Sequence, residues 1–331
     1  MKAILISKYK EALHIADVAE PTRGDHDVIV QVKSVGLNLV DELIRSGAFR
    51  LVLRYRLPQI VGSELAGVVV GVGSQVRGFK VGDAVYARQD VTRGTFAERI
   101  AVPEHDLALA PSSIGLEEAG SLPLVALTAW QALVERGAVK PGQKVLIHGG
   151  AGGLGSIAIQ FAKHLGATVA TTASAANADF VRGLGADVAV DYRSEAFEKV
   201  LSDYDLVLDS VGGGNVLKSV EVLKPGGKLI DVNGVGDPAA AKEQGFNPLL
   251  RIVVAALTRR VRARAKKLGV TYEYLFMHPD GRQLAEITAL VDAGIIRPVV
   301  GKAVTFDEIP EAVEALRAGG VRGKVIATFG S

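Results

Sequence analysis

Val145-Leu-Ile-His-Gly-Gly-Ala-Gly-Gly-Leu-Gly-Ser156 is the stretch on which the reading of this 331-residue chain turns. A short apolar run enters a cluster of glycines, and an amphipathic segment, 157–165, leaves it. Gly150, Gly152 and Gly155 fit the spacing G-x-G-x-x-G, and Gly149, Gly152 and Gly155 fit G-x-x-G-x-x-G. The chemistry behind such spacing is specific. The strand must turn sharply into the helix, the backbone must come close to a pyrophosphate, and a third small residue lets helix and strand pack tightly. The helix N-terminus then offers free N–H groups and a partial positive charge to an anion. Glycine-rich turns are common, so the context carries the weight: strand before, helix after, second strand at the right distance.

Downstream of this turn, apolar runs alternate with helical segments. Strands are expected at 144–148, 168–172, 188–190, 206–208, 228–232 and 272–277, with helices at 157–165 and 177–184. Such alternation predicts right-handed βαβ crossovers and a parallel sheet. The second strand runs into Ala173-Ser174-Ala175-Ala176-Asn177. An NAD site usually carries an acid there for the ribose 2′-hydroxyl. Its absence favours NADP, with Ser174 as a donor to a 2′-phosphate and Tyr192 and Arg193, after the third strand, as further donors. Parallel sheets bind ligands outside the carboxyl ends of their strands. Val211, Asn233 and Gly234 follow the fourth and fifth strands and therefore fall on the cofactor side; for the glycines, plain turn chemistry serves equally well.

Upstream, to about residue 122, the chain reads as β-rich, with strands at 28–32 and 65–70, turns at 71–74 and 81–83, and one helix at 39–45. The tail adds a helix at 309–318 and a strand at 324–329. The chain carries 48% hydrophobic residues and a net charge of +2, so a general affinity for nucleic acid is not expected. There is no cysteine, which excludes disulfides, thiolate nucleophiles and sulfur-ligated zinc. No apolar window is long enough to span a membrane, and residues 1–10 lack an export signal. A cytoplasmic enzyme is the expectation. One stretch stands apart. Residues 251–267 hold seven cations and no acid, interleaved with Ile252, Val253, Ala256, Leu257 and Val261. A helix with an inward apolar stripe and outward cations is expected there; a subunit contact and an anionic surface are the other readings.

Several ordered motifs accompany the glycine turn: Val35-Gly-Leu-Asn-Leu-Val-Asp41, Val61-Gly-Ser-Glu-Leu-Ala-Gly67, Val81-Gly-Asp-Ala-Val85, Leu124-Val-Ala-Leu-Thr-Ala-Trp130 and Gly323-Lys-Val-Ile-Ala327. Together they resemble the medium-chain dehydrogenase/reductase superfamily over nearly the whole chain. Zinc-dependent members place Cys where this chain has Asn38 and His where it has Ser63. The sequence is therefore similar to the zinc-free quinone oxidoreductase branch, which includes zeta-crystallin and the alkenal/enone reductases. The resemblance implies an α/β fold: a GroES-like β-rich domain (1–122 and 297–331) and a Rossmann doubly wound domain (123–296). It implies NADP(H) as cofactor and a homodimer. By motif, Asn38 and Thr128 fall by the nicotinamide, Gly150, Ala151, Gly152, Gly153 and Leu154 at the pyrophosphate, and Ser174 and Tyr192 at the 2′-phosphate. The lysine that many relatives carry shortly after that serine is absent here.

Asp41 and Glu64 without imidazole or thiolate make a poor zinc site, so no metal is expected. Without Lewis acidity, quinones and α,β-unsaturated carbonyls are the natural small-molecule electrophiles, since they accept hydride readily. An enoyl thioester, or nucleotide binding without turnover, are the alternatives. Tyr55 is a candidate proton donor and Asn38 a candidate nicotinamide or oxyanion contact, though Asn38 can equally cap the following helix. Asp41 is either catalytic or a structural remnant. No hydrolase elbow or Walker motif is present.

Overall fold

The computed structural model describes residues 1–48, 50, 55–234 and 236–330. Its strands, in chain order, are β1 (Lys2–Ile6), β2 (His14–Asp17), β3 (Asp27–Leu37), β4 (Gln59–Ile60), β5 (Glu64–Val72), β6 (Ala84–Arg88), β7 (Arg99–Pro103), β8 (Leu107–Leu109), β9 (Lys144–Ile147), β10 (Thr168–Ala173), β11 (Val188–Asp191), β12 (Tyr204–Asp209), β13 (Leu223–Asp231), β14 (Thr271–Tyr274), β15 (Val300–Thr305) and β16 (Lys324–Thr328). The helices are α1 (Leu39–Arg45), α2 (Leu116–Ala119), α3 (Pro123–Trp130), α4 (Gly153–His164), α5 (Ala178–Gly183), α6 (Phe197–Val200), α7 (Gly214–Glu221), α8 (Pro238–Glu243), α9 (Pro248–Leu257), α10 (Arg259–Leu268), α11 (Gly281–Asp292) and α12 (Ile309–Ala315).

The chain divides into two compact units, Met1–Leu127 with His278–Ser331, and Thr128–Met277. In the first, a seven-stranded sheet runs β15-β16-β3-β5-β6-β8, with β7 also paired to β3. A small sheet, β2-β1-β4, lies beside it, joined through a bridge between Ala3 and Ala97. The alternating strand faces bury Val28, Val30, Val32, Leu65, Val69, Val85 and Ala87 in one aliphatic core, as period-two patterning requires. β16 returns from the far end of the chain to pair antiparallel with β3, Val325 opposite Leu37 and Ala327 opposite Val35. That pairing sets Lys324 beside the start of α1.

In the second unit six parallel strands run β11-β10-β9-β12-β13-β14, the strand order of a dinucleotide-binding sheet. β9 holds the centre because Val145, Leu146 and Ile147 are fully buried, as a strand covered on both faces must be. α4 follows β9, and its apolar face, Ile157, Ala158, Phe161 and Ala162, is buried.

Two expectations shift. Residues 224–227 were expected to turn into the fifth strand; here they lie inside β13, which meets β12 with a register shift. The expected domain boundary at 296/297 falls instead at 277/278. The reason is α11. Tyr86 Oη donates to Leu284 O at 2.7 Å, Thr288 Oγ1 donates to Leu109 O at 2.9 Å, and a side chain at Gly281 would collide with Leu107 O. The helix is fastened to β6 and β8.

Candidate functional site

The glycine turn departs from β9 at Gly149, whose φ of +68° lies in the left-handed region that favours glycine. Thr172 Oγ1 accepts the Gly149 N–H at 3.1 Å, and Thr172 O accepts the Gly150 N–H at 3.0 Å. A Cβ at Gly150 would collide with Thr171 Oγ1, and one at Gly155 with Gly149 O. Gly152 differs: its backbone is extended, and a Cβ there would meet only Gly149 O, at 3.4 Å. Gly152 caps the twelve-residue α4 without a side chain. Among the described residues the N–H groups of Gly153, Leu154 and Gly155 have no backbone acceptor. Helix N-terminal amides without such acceptors are chemically fitted to a diphosphate. His148, at the mouth of this turn, is fully buried between Thr172 Oγ1 (3.1 Å) and Ser219 Oγ (2.9 Å). Burial holds its pKa down, so it serves as a neutral structural bridge.

Parallel pairing of β10 with β11 sets Ala173 opposite Asp191, which brings Ser174 alongside Tyr192 and Arg193. Tyr192 is 57% exposed, and the Arg193 guanidinium sits 5.8 Å from its ring centroid. Among the described residues Arg193 forms no ion pair, and Ser174 leaves the following turn uncapped by its hydroxyl. The nearest acid, Asp191, accepts from Arg193 N and Ser194 Oγ, and the first of these bonds holds its carboxyl below the usual range.

At the carboxyl ends of β12 and β13, register places Asp209 opposite Asp231. Asp209 Oδ1 accepts from Val211 N and Gly212 N, each at 2.8 Å, and Asp231 Oδ1 accepts from Asn233 N at 2.9 Å. Asn233 Nδ2 then donates to Val211 O at 3.0 Å. Val211 and Asn233 are thus tied to each other, and a side chain at Gly234 would collide with Asp231. Burial, and next to it the Asp209 charge, pushes Asp231 up to about 6 against the N–H bond from Asn233. Thr128, on α3, is buried.

Asn38, Asp41 and Tyr55 belong to the first unit. Asn38 occupies the cap position of α1, and its backbone N–H donates to Asp41 Oδ2 at 2.8 Å. Its side chain is committed elsewhere. Nδ2 donates to Glu64 Oε1 at 2.8 Å and Gly36 O at 3.2 Å, while Oδ1 accepts from Lys324 Nζ at 2.5 Å. Lys324 Nζ also meets Glu64 Oε1 at 2.7 Å and Leu37 O at 3.3 Å. Glu64 Oε2 accepts from Leu124 N at 2.7 Å, and Ser63 Oγ lies 3.5 Å from Asp41 Oδ1. All five side chains are buried: Asp41, Ser63 and Glu64 fully, Lys324 and Asn38 to within 5% and 8%. Burial pushes Asp41 up to about 7, against the Asn38 N–H bond and the Lys324 charge. The Tyr55 hydroxyl is buried without a partner, and burial, with the charges of Asp90 and Asp41, raises its pKa. Among the described residues no group of three His, Asp or Glu is placed to hold a metal ion.

Lys324 and Asp231 were not singled out from sequence; Asp209 was expected only as part of the segment 209–213 on the cofactor side. A lysine opening a C-terminal strand looks like surface. The available signal was the pair Asp41 and Glu64, two acids that needed a cation once no metal was expected.

Two family models match: an alcohol dehydrogenase GroES-like domain over residues 24–112 and a zinc-binding dehydrogenase over 184–326. The mitochondrial NAD(P)H oxidoreductase RTN4IP1 of Danio rerio is 33% identical over 92% of this chain and 84% of its own length. The chloroplastic NADPH-dependent alkenal/one oxidoreductase of Arabidopsis thaliana is 34% identical over 98% and 79%. The structure of a quinone oxidoreductase from Coxiella burnetii superposes with a TM-score of 0.86 at 30% identity, covering 99% of each chain. Carrying the glycine turn, the six-stranded parallel sheet and a GroES-like sheet in which a lysine meets a buried glutamate, the chain belongs to the zinc-free quinone oxidoreductase branch of the medium-chain dehydrogenase/reductase superfamily.

Proposed function

We propose that the protein is an NADPH-dependent oxidoreductase that reduces a quinone or an α,β-unsaturated carbonyl without zinc. The observation that carries this reading is the turn 149–155, where a side chain at Gly150 or Gly155 would collide with the turn and strand, and where the Gly153, Leu154 and Gly155 N–H groups have no backbone acceptor among the described residues. The names of the relatives, an NADPH-dependent alkenal/one oxidoreductase and a quinone oxidoreductase, support the cofactor and the substrate class. NADPH, when bound, supplies a hydride from its reduced nicotinamide.

The residues around it bind and orient. Ala151, Gly153 and Leu154 hold the pyrophosphate through backbone amides, and Gly150 and Gly152, whose own N–H groups are bonded to Thr172 O and Gly149 O, let it approach the turn closely. The free Arg193 cation, with Ser174 and Tyr192, holds the 2′-phosphate in place of the lysine that relatives carry nearby. Val211, Asn233 and Gly234 form the wall pinned by Asp209 and Asp231, and Thr128 contributes a contact from α3. Asn38 flanks the nicotinamide by packing, without a new hydrogen bond. It does not serve as an oxyanion donor, because both ends of its carboxamide are already bonded. Tyr55, still protonated at neutral pH, is the hydroxyl that can deliver a proton to the reduced product. Asp41 is a supporting carboxylate under α1. The cytoplasmic expectation draws no support from the relatives, which are named mitochondrial and chloroplastic.

The test follows the near-ultraviolet absorbance of NADPH and NADH during incubation with quinones, alkenals and enoyl thioesters. Faster turnover with NADPH on quinones or alkenals is the expected result. Activity confined to thioesters, or tight NADPH binding without turnover of any of them, overturns the proposal.

A further inference from the structure

The basic stretch 251–267 does not pack as its sequence pattern predicts. Ile252, Val253 and Leu257 were expected to face inward; they face solvent. On α9 only Val254 is buried, while Leu249, Ile252 and Leu257 are 73%, 66% and 63% exposed and Val253 44%. These positions are spaced i, i+3, i+4 and i+8 and form one helical face. Leu249, Ile252 and Leu257 are the three most exposed large hydrophobic side chains among the described residues.

The helix that continues from this face is basic. α10 turns Val261 and Ala265 inward and leaves Arg259, Arg260, Lys266 and Lys267 exposed. Two of its cations are used internally: Arg264 pairs with Glu221 at 2.5 Å, and Arg262 donates to Ala255 O at 3.0 Å, closing the end of α9. The four outward cations, and Arg251 on α9, have no ion-pair partner among the described residues, and 251–267 contains no acid.

We propose that α9 and α10 form a peripheral docking surface for an anionic lipid bilayer. The apolar face of α9 enters the headgroup–acyl boundary, and the cations of α10 meet the lipid phosphates. Charge complementarity selects this occupant. An unpaired cluster of one sign beside a bare aliphatic helix face is the pairing that interfacial helices use, neither part sufficing alone. A nucleic acid would use the cations but gain nothing from four aliphatic side chains. A second copy docking through the same patch would set the two groups of unpaired cations against each other, which like-charge repulsion opposes. The contact lies on the bilayer and does not cross it: each helix has ten residues, half of the roughly 20 a span requires. The proposal stands apart from the substrate reading.

The test is co-sedimentation of the full chain with vesicles of phosphatidylcholine alone or mixed equally with phosphatidylglycerol, at low salt and at about 0.15 M. Two variants are compared, Leu249→Ser/Ile252→Ser/Leu257→Ser and Arg259→Gln/Arg260→Gln/Lys266→Gln/Lys267→Gln. Unchanged NADPH binding and thermal midpoint verify folding, since none of these residues belongs to the cofactor site. Partition onto the mixed vesicles is expected to exceed that onto phosphatidylcholine at least about tenfold, and to drop by a similar factor in each variant. No partition at low salt overturns the proposal. So does loss in the charge variant only, which marks simple adsorption, or binding to polyuridylate but not to vesicles. A dimer that dissociates in the serine variant without vesicle binding by the parent makes the face a subunit contact and equally overturns it.

Discussion

Lys324 forms a buried ion pair with Glu64, and its removal has a calculable consequence. Glu64 is fully buried and meets Lys324 Nζ at 2.7 Å. Breaking a buried pair by deleting one partner costs about 3–5 kcal/mol. Lys324→Met is expected to lose about that much in denaturant unfolding, and Lys324→Met/Glu64→Gln to recover part of it. Asp41 titrates in the opposite sense from a paired surface acid. Burial lifts its pKa from 3.8 to about 7, so between those values the folded state holds the proton more tightly than the unfolded chain. Its contribution to stability is greatest below pH 4, falls as pH rises through that window, and is fully unfavourable above 7. Asp41→Asn is therefore expected to unfold at a higher temperature than the parent at pH 8, by up to about 4 kcal/mol in free energy, with the gap closing toward pH 4. Tyr55 gives a split between stability and activity. Its hydroxyl is buried and unbonded, so Tyr55→Phe is expected to leave stability unchanged or raise it by about 1 kcal/mol. If the hydroxyl delivers the proton, kcat drops while the thermal midpoint does not.

At the level of elements, the glycine turn separates packing from binding. A side chain at Gly155 meets the Gly149 carbonyl. Gly155→Val is expected to cost at least about 1–3 kcal/mol, seen as a lowered thermal midpoint. At Gly152 the backbone is extended and the space open. Gly152→Val is expected to keep the parent's midpoint while weakening NADPH by about a hundredfold or more, roughly 3 kcal/mol, by calorimetry. A loss of stability at Gly152 with unchanged affinity would count against the diphosphate assignment. The sequence was most legible here. β9, the turn and α4 are local: periodicity and glycine spacing are written in contiguous residues. α1 was equally readable, Leu39–Arg45, because its cap residues sit next to it. α9 was misread for the converse reason. Apolar periodicity states that a helix has an apolar face and not that the fold covers it. Residues 224–227 were read as a turn because Pro-Gly-Gly commonly makes one; they form an irregular bulge inside β13, between Leu223 opposite Tyr204 and Lys228 opposite Leu206, with Gly226 at a φ of +83°.

At the scale of the molecule, the first unit is closed by segments distant in sequence. β16 pairs with β3, β15 pairs with β16, and α11 is fastened to β6 and β8. Ending the chain after residue 319 removes β16 and Lys324 together, leaving β3 with an unpaired edge and Glu64 without its cation. The first unit is expected to lose its cooperative unfolding transition while near-native parallel-sheet signal persists from Thr128–Met277, distinguishable by limited proteolysis with mass analysis. The amino-acid sequence by itself determined what neighbours along the chain decide: the βαβ alternation, the glycine turn, the lack of cysteine and the family motifs. Only the tertiary structure decided that a C-terminal lysine pairs with a buried acid more than two hundred residues away, that aspartates ending two parallel strands pin the loops beyond them, and that the apolar side of α9 stays bare. Burial and long-range pairing are properties of the closed sheet, and no window of sequence contains both partners.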